Sequence, residues 1–310
     1  MVRLVLIRHG ESLQNRHADS VQKRPQSVAM NADDLNAAMR AENSAEDGDV
    51  GLTELGQDQA RRLAEVWAPL LEAKARAGRL QVFVSPMRRA LQTADPLMQR
   101  LHVACGQTAA VKPAIMEFGA LAAPSDLKVL DETDRLRRAG DLQAMKELLR
   151  GFHWRPCGFT GDRLLEAFPW ATLPADFPRA TPWSTEGFEG PKRNAARIAG
   201  LIEEIGQLPG SLGEGDVVVF VSHGGTIADI VFGLVTGHAR SNTADVARKE
   251  PNFDRVFNTS VTSLVLPGKN YRFSQSPRGP GTTSVFGCQV EFANNTAHLG
   301  EARLRLWAEE

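Results

Sequence analysis

The sequence predicts an α/β fold: a three-layer α/β/α sandwich around a mostly parallel central sheet. Three observations carry that expectation. The runs Val2-Arg3-Leu4-Val5-Leu6-Ile7, Val82-Phe83-Val84 and Val217-Val218-Val219-Phe220-Val221 are almost continuously apolar. Such runs belong to strands covered on both faces, as in parallel sheets. The second and third runs are each followed by a sharp turn and then a helical pattern, the repeating unit of such folds. Each also ends in arginine, histidine or both, at the edge where open α/β sheets bind ligands.

In chain order, the first unit ends in Arg8-His9-Gly10-Glu11. A guanidinium is a planar fork that can bond two phosphate oxygens at once. An imidazole, largely neutral near pH 7, is a nucleophile or proton carrier. Gly10 lets the backbone turn sharply once the strand is over. Residues 16–51 are polar, rich in Asn, Asp and Ala, and read as an excursion near a pocket mouth. The second unit continues as Ser85-Pro86-Met87-Arg88-Arg89-Ala90-Leu91-Gln92-Thr93-Ala94. It predicts a helix capped by Ser85 with Pro86 just inside, which puts Arg89 one turn in. Arg88 reads as helix solvation.

A shorter run, Val111-Lys112-Pro113-Ala114-Ile115-Met116, delivers Glu117 at its end. Residues 120–189 follow as the largest addition. Their first half, 126–149, has helical spacing with mixed charge, and the second half, with Trp154, Trp170 and Trp183, reads as irregular packed structure. The third unit ends in Ser222-His223-Gly224-Gly225-Thr226 and opens a helix over 227–235, whose start would aim N–H groups and partial positive charge at the same edge. Strands at 261–266 and 288–292 are joined by a Gly/Pro/Ser-rich link, 267–287. The core is expected to comprise 1–15, 52–117 and 190–310 of one domain.

Two arginines and two histidines from three strand ends suit a phosphoryl group. Its transfer is catalysed mostly by positioning and electrostatic stabilisation. In sequence order, Arg8-His9-Gly10-Glu11-Ser12-x-x-Asn15, Leu52-Thr53-x-x-Gly56-x-x-Gln59-Ala60, Ser85-Pro86-x-x-Arg89-Ala90-x-Gln92-Thr93-Ala94 and Ser222-His223-Gly224-Gly225 resemble the histidine phosphatase superfamily, the phosphoglycerate mutase-like proteins. The motifs cover the core of the chain only.

That resemblance implies a set of roles. His9 is the nucleophile that becomes a phosphohistidine, later hydrolysed by water. Its reacting nitrogen must be unprotonated, and the other is expected to donate to a backbone carbonyl. Arg8, Arg89 and His223 form the phosphate pocket, with Asn15 and the N–H of Gly224 as lesser contacts. Glu11 is a structural residue. The departing oxygen needs a proton, and Glu117 is the candidate acid, favoured in its protonated form by a dianionic substrate beside it. Relatives carry a glycine a few residues after the acid, and here Gly119 follows closer than usual. Mutase relatives follow the acid with Arg-x-Tyr-Gly, whereas this chain has Phe118-Gly119. The departure favours hydrolysis of a small phosphate ester over return of the phosphoryl group to substrate. A catalytically silent phosphate-binding module usually lacks one of the pocket residues, and all are present here.

An insert following the acid is placed to act as a lid, with Arg155, Arg163, Arg179 and the tryptophans choosing the substrate. A stabilising or oligomer-forming appendage fits the same position. Cys157 and Arg163 have the spacing of a thiol phosphatase loop, but Asp162 within that loop would repel phosphate and no apolar strand precedes Cys157. A zinc site from His102, Cys105, His153 and Cys157 requires segments with no evident reason to meet, so neither metal nor cofactor is expected. His17, His238 and His298 read as structural or solvent-facing.

The chain has 310 residues and a formal net charge of −1. That balance argues against a general nucleic-acid binder, which relies on a basic surface. Three irregularly spaced cysteines fit a reducing compartment better than a disulfide framework. A strand and catalytic motif starting at the first residue leave no room for a leader, and no apolar run has membrane-spanning length. The expectation is a cytoplasmic protein whose partner is a small phosphorylated substrate.

Overall fold

The architecture is that of a computed structural model, which describes residues 1–13, 15, 49–117, 129, 132, 135–136, 139–150, 157–184, 191–236, 256, 258–266 and 288–299. Among them β1 (Val2–Arg8), α1 (Glu54–Arg76), β2 (Leu80–Val84), α2 (Arg88–Cys105) and β3 (Ala109–Val111) come first. A single 3-10 turn, Pro113–Ile115, follows β3. Then come α3 (Leu142–Arg150), β4 (Cys157–Thr160), α4 (Gly161–Ala167), β5 (Ala171–Thr172) and β6 (Pro182–Ser184). The chain continues with α5 (Pro191–Ser211), β7 (Val217–Ser222), α6 (Gly224–Thr236), β8 (Val261–Leu266) and β9 (Gln289–Asn295).

The central sheet has seven strands in the order β5-β3-β2-β7-β1-β8-β9. From β5 to β1 every pairing is parallel, and β8 and β9 close the far edge antiparallel. The mostly parallel three-layer sandwich is thus present, and its layers can be read residue by residue. In β1, Val5 and Ile7 face one hydrophobic cluster while Leu4 and Leu6 face the other. In β7, Val217, Val219 and Val221 share the first face, with Val218 and Phe220 on the second. Period-2 alternation sorts these apolar runs onto two covered faces. Each such Val, Leu or Ile is worth about 1.5–3 kcal/mol when fully buried.

The first face is covered by α1 and α2. On α1, Ala60, Leu63, Ala64, Ala68 and Leu71 are buried, the stripe expected of a helix with one face on a core. Thr53 caps α1, its side chain accepting the Gly56 N–H. The second face is covered by α5 and α6 through Ile198, Leu201, Ile202, Ile205, Ile227, Ile230, Val231 and Leu234.

Several expectations change. The segment 157–184 is no irregular appendage. β5 pairs in parallel with β3 at the sheet edge, and Cys157, Phe159, Leu164, Phe168, Trp170 and Trp183 join the first core cluster. β4 and β6 form a separate antiparallel pair. Its strands are too short and too mixed in composition to show periodicity. Trp170 is committed to packing and donates its indole N–H to Asp95 Oδ1 at 2.8 Å. Arg163 stacks on Phe159 at 5.0 Å, and Arg179 lies 3.7 Å from Asp162. Arg155, Trp154, Gly119 and the links 16–48 and 267–287 lie outside the described residues.

The start of α2 also moves. The helix begins at Arg88 with Met87 as its cap, not at Pro86 behind Ser85. The buried Asp49 carboxylate accepts the Arg88 N–H at 2.9 Å, so a contact from another part of the chain sets this terminus. Arg89 is therefore the second helical residue rather than one turn in.

Candidate active site

The site stands where β1, β7 and β2 end side by side. Arg8 is in register with Ser222, and the His9 N–H continues the ladder to the Ser222 carbonyl at 3.0 Å. The Ser85 N–H donates to Val221 O at 3.0 Å. These bonds bring residues from three distant stretches of chain to one sheet edge.

Gly10 and Gly56 let α1 approach the turn after β1. A Cβ on Gly56 would stand 2.0 Å from Glu11 O, and one on Gly10 would stand 2.6 Å from Gly56 O. Contact that close to backbone tolerates only glycine. The Gly10 N–H donates to Thr93 Oγ1 at 2.9 Å, and Thr93 in turn donates to Arg89 O at 2.7 Å. The turn after β1 and the helix that carries Arg89 are thereby bolted together through one hydroxyl.

His9 is 2 % exposed. Its Nδ1 lies 2.7 Å from Gly10 O and its Nε2 lies 3.3 Å from Arg89 Nε. A carbonyl can only accept and a guanidinium can only donate. The ring is therefore the Nδ1–H tautomer, with a bare Nε2 facing the cation. Burial, then Arg89 and Arg8, hold the His9 imidazole well below its ordinary 6.5, so it is neutral.

His223, fully buried, has its ring centre 5.1 Å from that of His9. Its Nε2 pairs with Ser85 Oγ at 2.8 Å, while its Nδ1 is buried without a hydrogen-bond partner. Burial, followed by Arg89, His9, Arg8 and Arg197, lowers its pKa well below 6.5. An incoming anion would reverse the sign of that environment and favour the imidazolium.

Arg89 is 4 % exposed, and Glu117 and Asp49 are the carboxylates that counter its burial. Arg8 donates through Nη1 to Val256 O, and its Nε lies 3.3 Å from where a Cβ on Gly224 would stand. Gly224 is the first residue of α6, whose N-terminal N–H groups add partial positive charge at the same edge. Glu117, half-buried, brings Oε1 within 2.7 Å of a Cβ position on Gly225.

His9, Glu117 and His223 each offer an atom, all within 4.8 Å of one another. Two imidazoles and a carboxylate could in principle ligate a divalent ion. The Arg89 guanidinium at 3.3 Å from His9 Nε2 makes the place better suited to an anion.

Six of the sequence-predicted residues thus gather: His9, Arg8, Arg89, His223, Gly224 and Glu117. Asn15 stands apart from them in its bonding, its Oδ1 accepting from the Ser12 N–H at 3.3 Å and the Ser12 hydroxyl at 3.1 Å. Glu11 is structural, accepting from the Thr53 hydroxyl at 2.7 Å. The sequence reading passed over Ser85 as a partner of His223, Thr93 and Asp49. Ser85 and Thr93 lie inside the Ser85–Thr93 motif and could have been suspected. Asp49 has no local signal.

Among the described residues, the decoys do not assemble. Cys157 is fully buried in the first core cluster. It begins a short strand where none was expected, with Thr160 capping the next helix and Asp162 in its first turn. His102 faces solvent with Nδ1 on Gln107 O at 3.0 Å. His298 is half-buried and has a partner, Thr259 Oγ1 at 3.2 Å. His17, His153 and His238 lie outside the described residues.

Among solved structures, a protein described as mycobacterial hydrolase 1 is 21% identical over 94% of this chain and 98% of its own, with a TM-score of 0.42. A phosphoserine phosphatase mutant from Entamoeba histolytica in complex with phosphoserine is 16% identical over 96% and 100%, with a TM-score of 0.44. A mycobacterial glucosyl-3-phosphoglycerate phosphatase in complex with inorganic phosphate is 20% identical over 96% and 98%, with a TM-score of 0.43. No curated protein matches the chain. Residues 4–135, which carry the motifs of β1, α1 and α2, match the sequence model of the histidine phosphatase superfamily (branch 1).

Proposed function

We propose that the protein is a metal-independent phosphatase that hydrolyses a small phosphate monoester through a phosphohistidine on His9. The observation that carries this reading is the pinned tautomer of His9: Nδ1–H held by Gly10 O, and a bare, buried Nε2 beside Arg89.

In the first step His9 Nε2 attacks phosphorus and the bond from phosphorus to the ester oxygen breaks. The departing oxygen takes a proton from the Glu117 carboxyl and leaves as an alcohol. Arg8, Arg89, His223 and the α6 N-terminus meet the charge on the equatorial oxygens, positions fixed before substrate arrives. Asn15 is a lesser contact. In the second step water attacks the phosphohistidine, Glu117 accepts its proton, and inorganic phosphate is released with His9 restored. The partner of this chemistry is the phosphorylated small molecule, with neither cofactor nor nucleic acid. Three irregularly spaced cysteines support a cytoplasmic setting. No helix among the described residues is long and apolar enough to cross a membrane.

The test is a panel of phosphate esters, with trapping of the phosphorylated enzyme. Inorganic phosphate release without added bisphosphate is expected, together with an acid-labile label on the wild-type chain. His9→Ala should lose both turnover and label. Turnover retained in that variant would place the chemistry elsewhere.

A further inference from the structure

The three residues before Glu117 are tied down in an unusual way. Their carbonyl oxygens, in succession, each accept from a side chain on a different element. Ala114 O accepts from Arg197 Nη1 of α5 at 2.8 Å. Ile115 O accepts from Ser222 Oγ at the end of β7, at 2.7 Å. Met116 O accepts from Thr226 Oγ1 of α6 at 2.6 Å and from Arg197 Nη1 at 3.2 Å. Arg197 is itself held, its Nη2 donating to Asn194 Oδ1 at 2.7 Å. The other side of the turn is fastened by the Lys112 N–H to Val84 O at 2.8 Å.

We propose that Arg197 and Thr226 are positioning residues for Glu117: by clamping the backbone of residues 114–116, they set where its carboxyl meets the departing oxygen. This rests on the reading of Glu117 as the proton donor. Glu117 is in no helix or strand, so nothing in its own secondary structure fixes it. A bond from a cation to a carbonyl is stronger than a neutral one. Arg197 reaches two carbonyls of the turn, so it fixes the orientation of the peptide run as well as its distance. A proton donor must stand within hydrogen-bond reach of its acceptor. Misplacement by about 1 Å costs on the order of 100-fold.

The clamp acts on proton delivery, whereas the charge of Arg197 also bears on His223 and so on both substrate types alike; the ratio between substrates separates the two. An alkyl phosphate, whose alkoxide leaves poorly, needs the proton. An aryl phosphate such as p-nitrophenyl phosphate departs without it. In the full chain, Thr226→Val and Arg197→Met should each lower kcat/KM for an alkyl phosphate about 100-fold more than for p-nitrophenyl phosphate. Arg197→Lys, which keeps one cationic donor, should recover part of that difference. In a Glu117→Gln background, adding Arg197→Met should change the alkyl-to-aryl ratio no further.

Equal slowing of both substrates by Thr226→Val and Arg197→Met overturns the proposal, as does a ratio shift that persists without Glu117. Should Arg197→Met fail to fold, Thr226→Val, uncharged and nearly isosteric, decides alone. Glu117→Gln by itself distinguishes the two levels. If it shifts the ratio and the clamp variants do not, only the clamp is wrong. If it leaves the ratio unmoved, the acid reading falls and the clamp with it.

Discussion

The proposed phosphate cup and the proposed acid beside it draw on different supports. His9, Arg89 and His223 are buried, and each is fixed by its own side-chain bonds, to Gly10 O, to His9 Nε2 and to Ser85 Oγ. Glu117 is half-buried, and the carbonyls of the three residues before it are clamped by side chains of α5, β7 and α6. A phosphoryl group has one size and charge, so a rigid, preorganised cup suits it. Leaving groups differ, and an acid at the edge of the cup can meet several. On the proposed mechanism, the difference teaches that phosphate recognition and leaving-group chemistry draw on separable supports.

Variants can break that division, the largest effect first. Arg89→Ala removes a fixed cation from the cup. It should lower kcat/KM on the order of 100- to 1,000-fold, as loss of a preorganised donor does. Alkyl and aryl esters should suffer alike, because both carry the same phosphoryl group. A strong leaving-group dependence in this variant would merge the two regions. Glu117→Gln should give the opposite pattern, with alkyl esters slowed on the order of 100-fold or more beyond aryl ones. Similar losses for both would remove Glu117 from the acid role.

The pH profile sharpens the same contrast. Burial, Arg89 and Arg8 lower the His9 pKa, so its neutral form persists below 6.5. The acid limb of kcat/KM should therefore lie below pH 6.5. Arg89→Ala removes one of the groups that disfavour the imidazolium, so the limb should move up toward 6.5. A downward move would contradict the electrostatic picture.

The smallest effect concerns stability. His298 is brought down to about 4 by burial, and it supports the cup from behind. Its Nε2 meets Thr259 Oγ1 at 3.2 Å, and the Thr259 N–H donates to His9 O at 3.2 Å. Thr259 holds a left-handed φ of 50° to do so, a costly conformation for a β-branched residue. A histidine lowered in the folded state stabilises fully above its unfolded value. That contribution is lost as pH falls from 6.5 toward 4. His298→Asn should flatten the dependence of unfolding free energy on pH in that window, by up to about 1.4 kcal/mol per pH unit for one proton. Chemical denaturation across the window checks it, and an unchanged slope would show that His298 takes up its proton without unfolding.

Much of this fold was legible because its central strands are continuous apolar runs. β1 and β7 cannot be read otherwise, and the polar residues at their ends follow from where such strands stop. The two-residue strand β5 was not legible. Ala171 and Thr172 have no pattern of their own, and they are a strand only because β3 offers an open edge. The start of α2 was misplaced for a related reason. Pro86 and Ser85 fit a helix start by local rules, but the Ser85 hydroxyl is engaged with His223 and Asp49 takes the first N–H.

The residues of this chain determined by themselves the strand–turn–helix units, the two-faced burial of the sheet and the identity of the pocket side chains. Periodicity and turn chemistry are local and survive in the linear order. Only the tertiary structure decided which nitrogen of His9 is bare, that Ser85 serves His223, and that Arg197, Ser222 and Thr226 hold the turn before Glu117. Hydrogen bonds between residues about 80 to 140 positions apart, such as Thr226 with Met116 and His223 with Ser85, leave no periodic trace in a sequence. They exist once packing brings the partners within reach and burial makes an unpaired polar group costly.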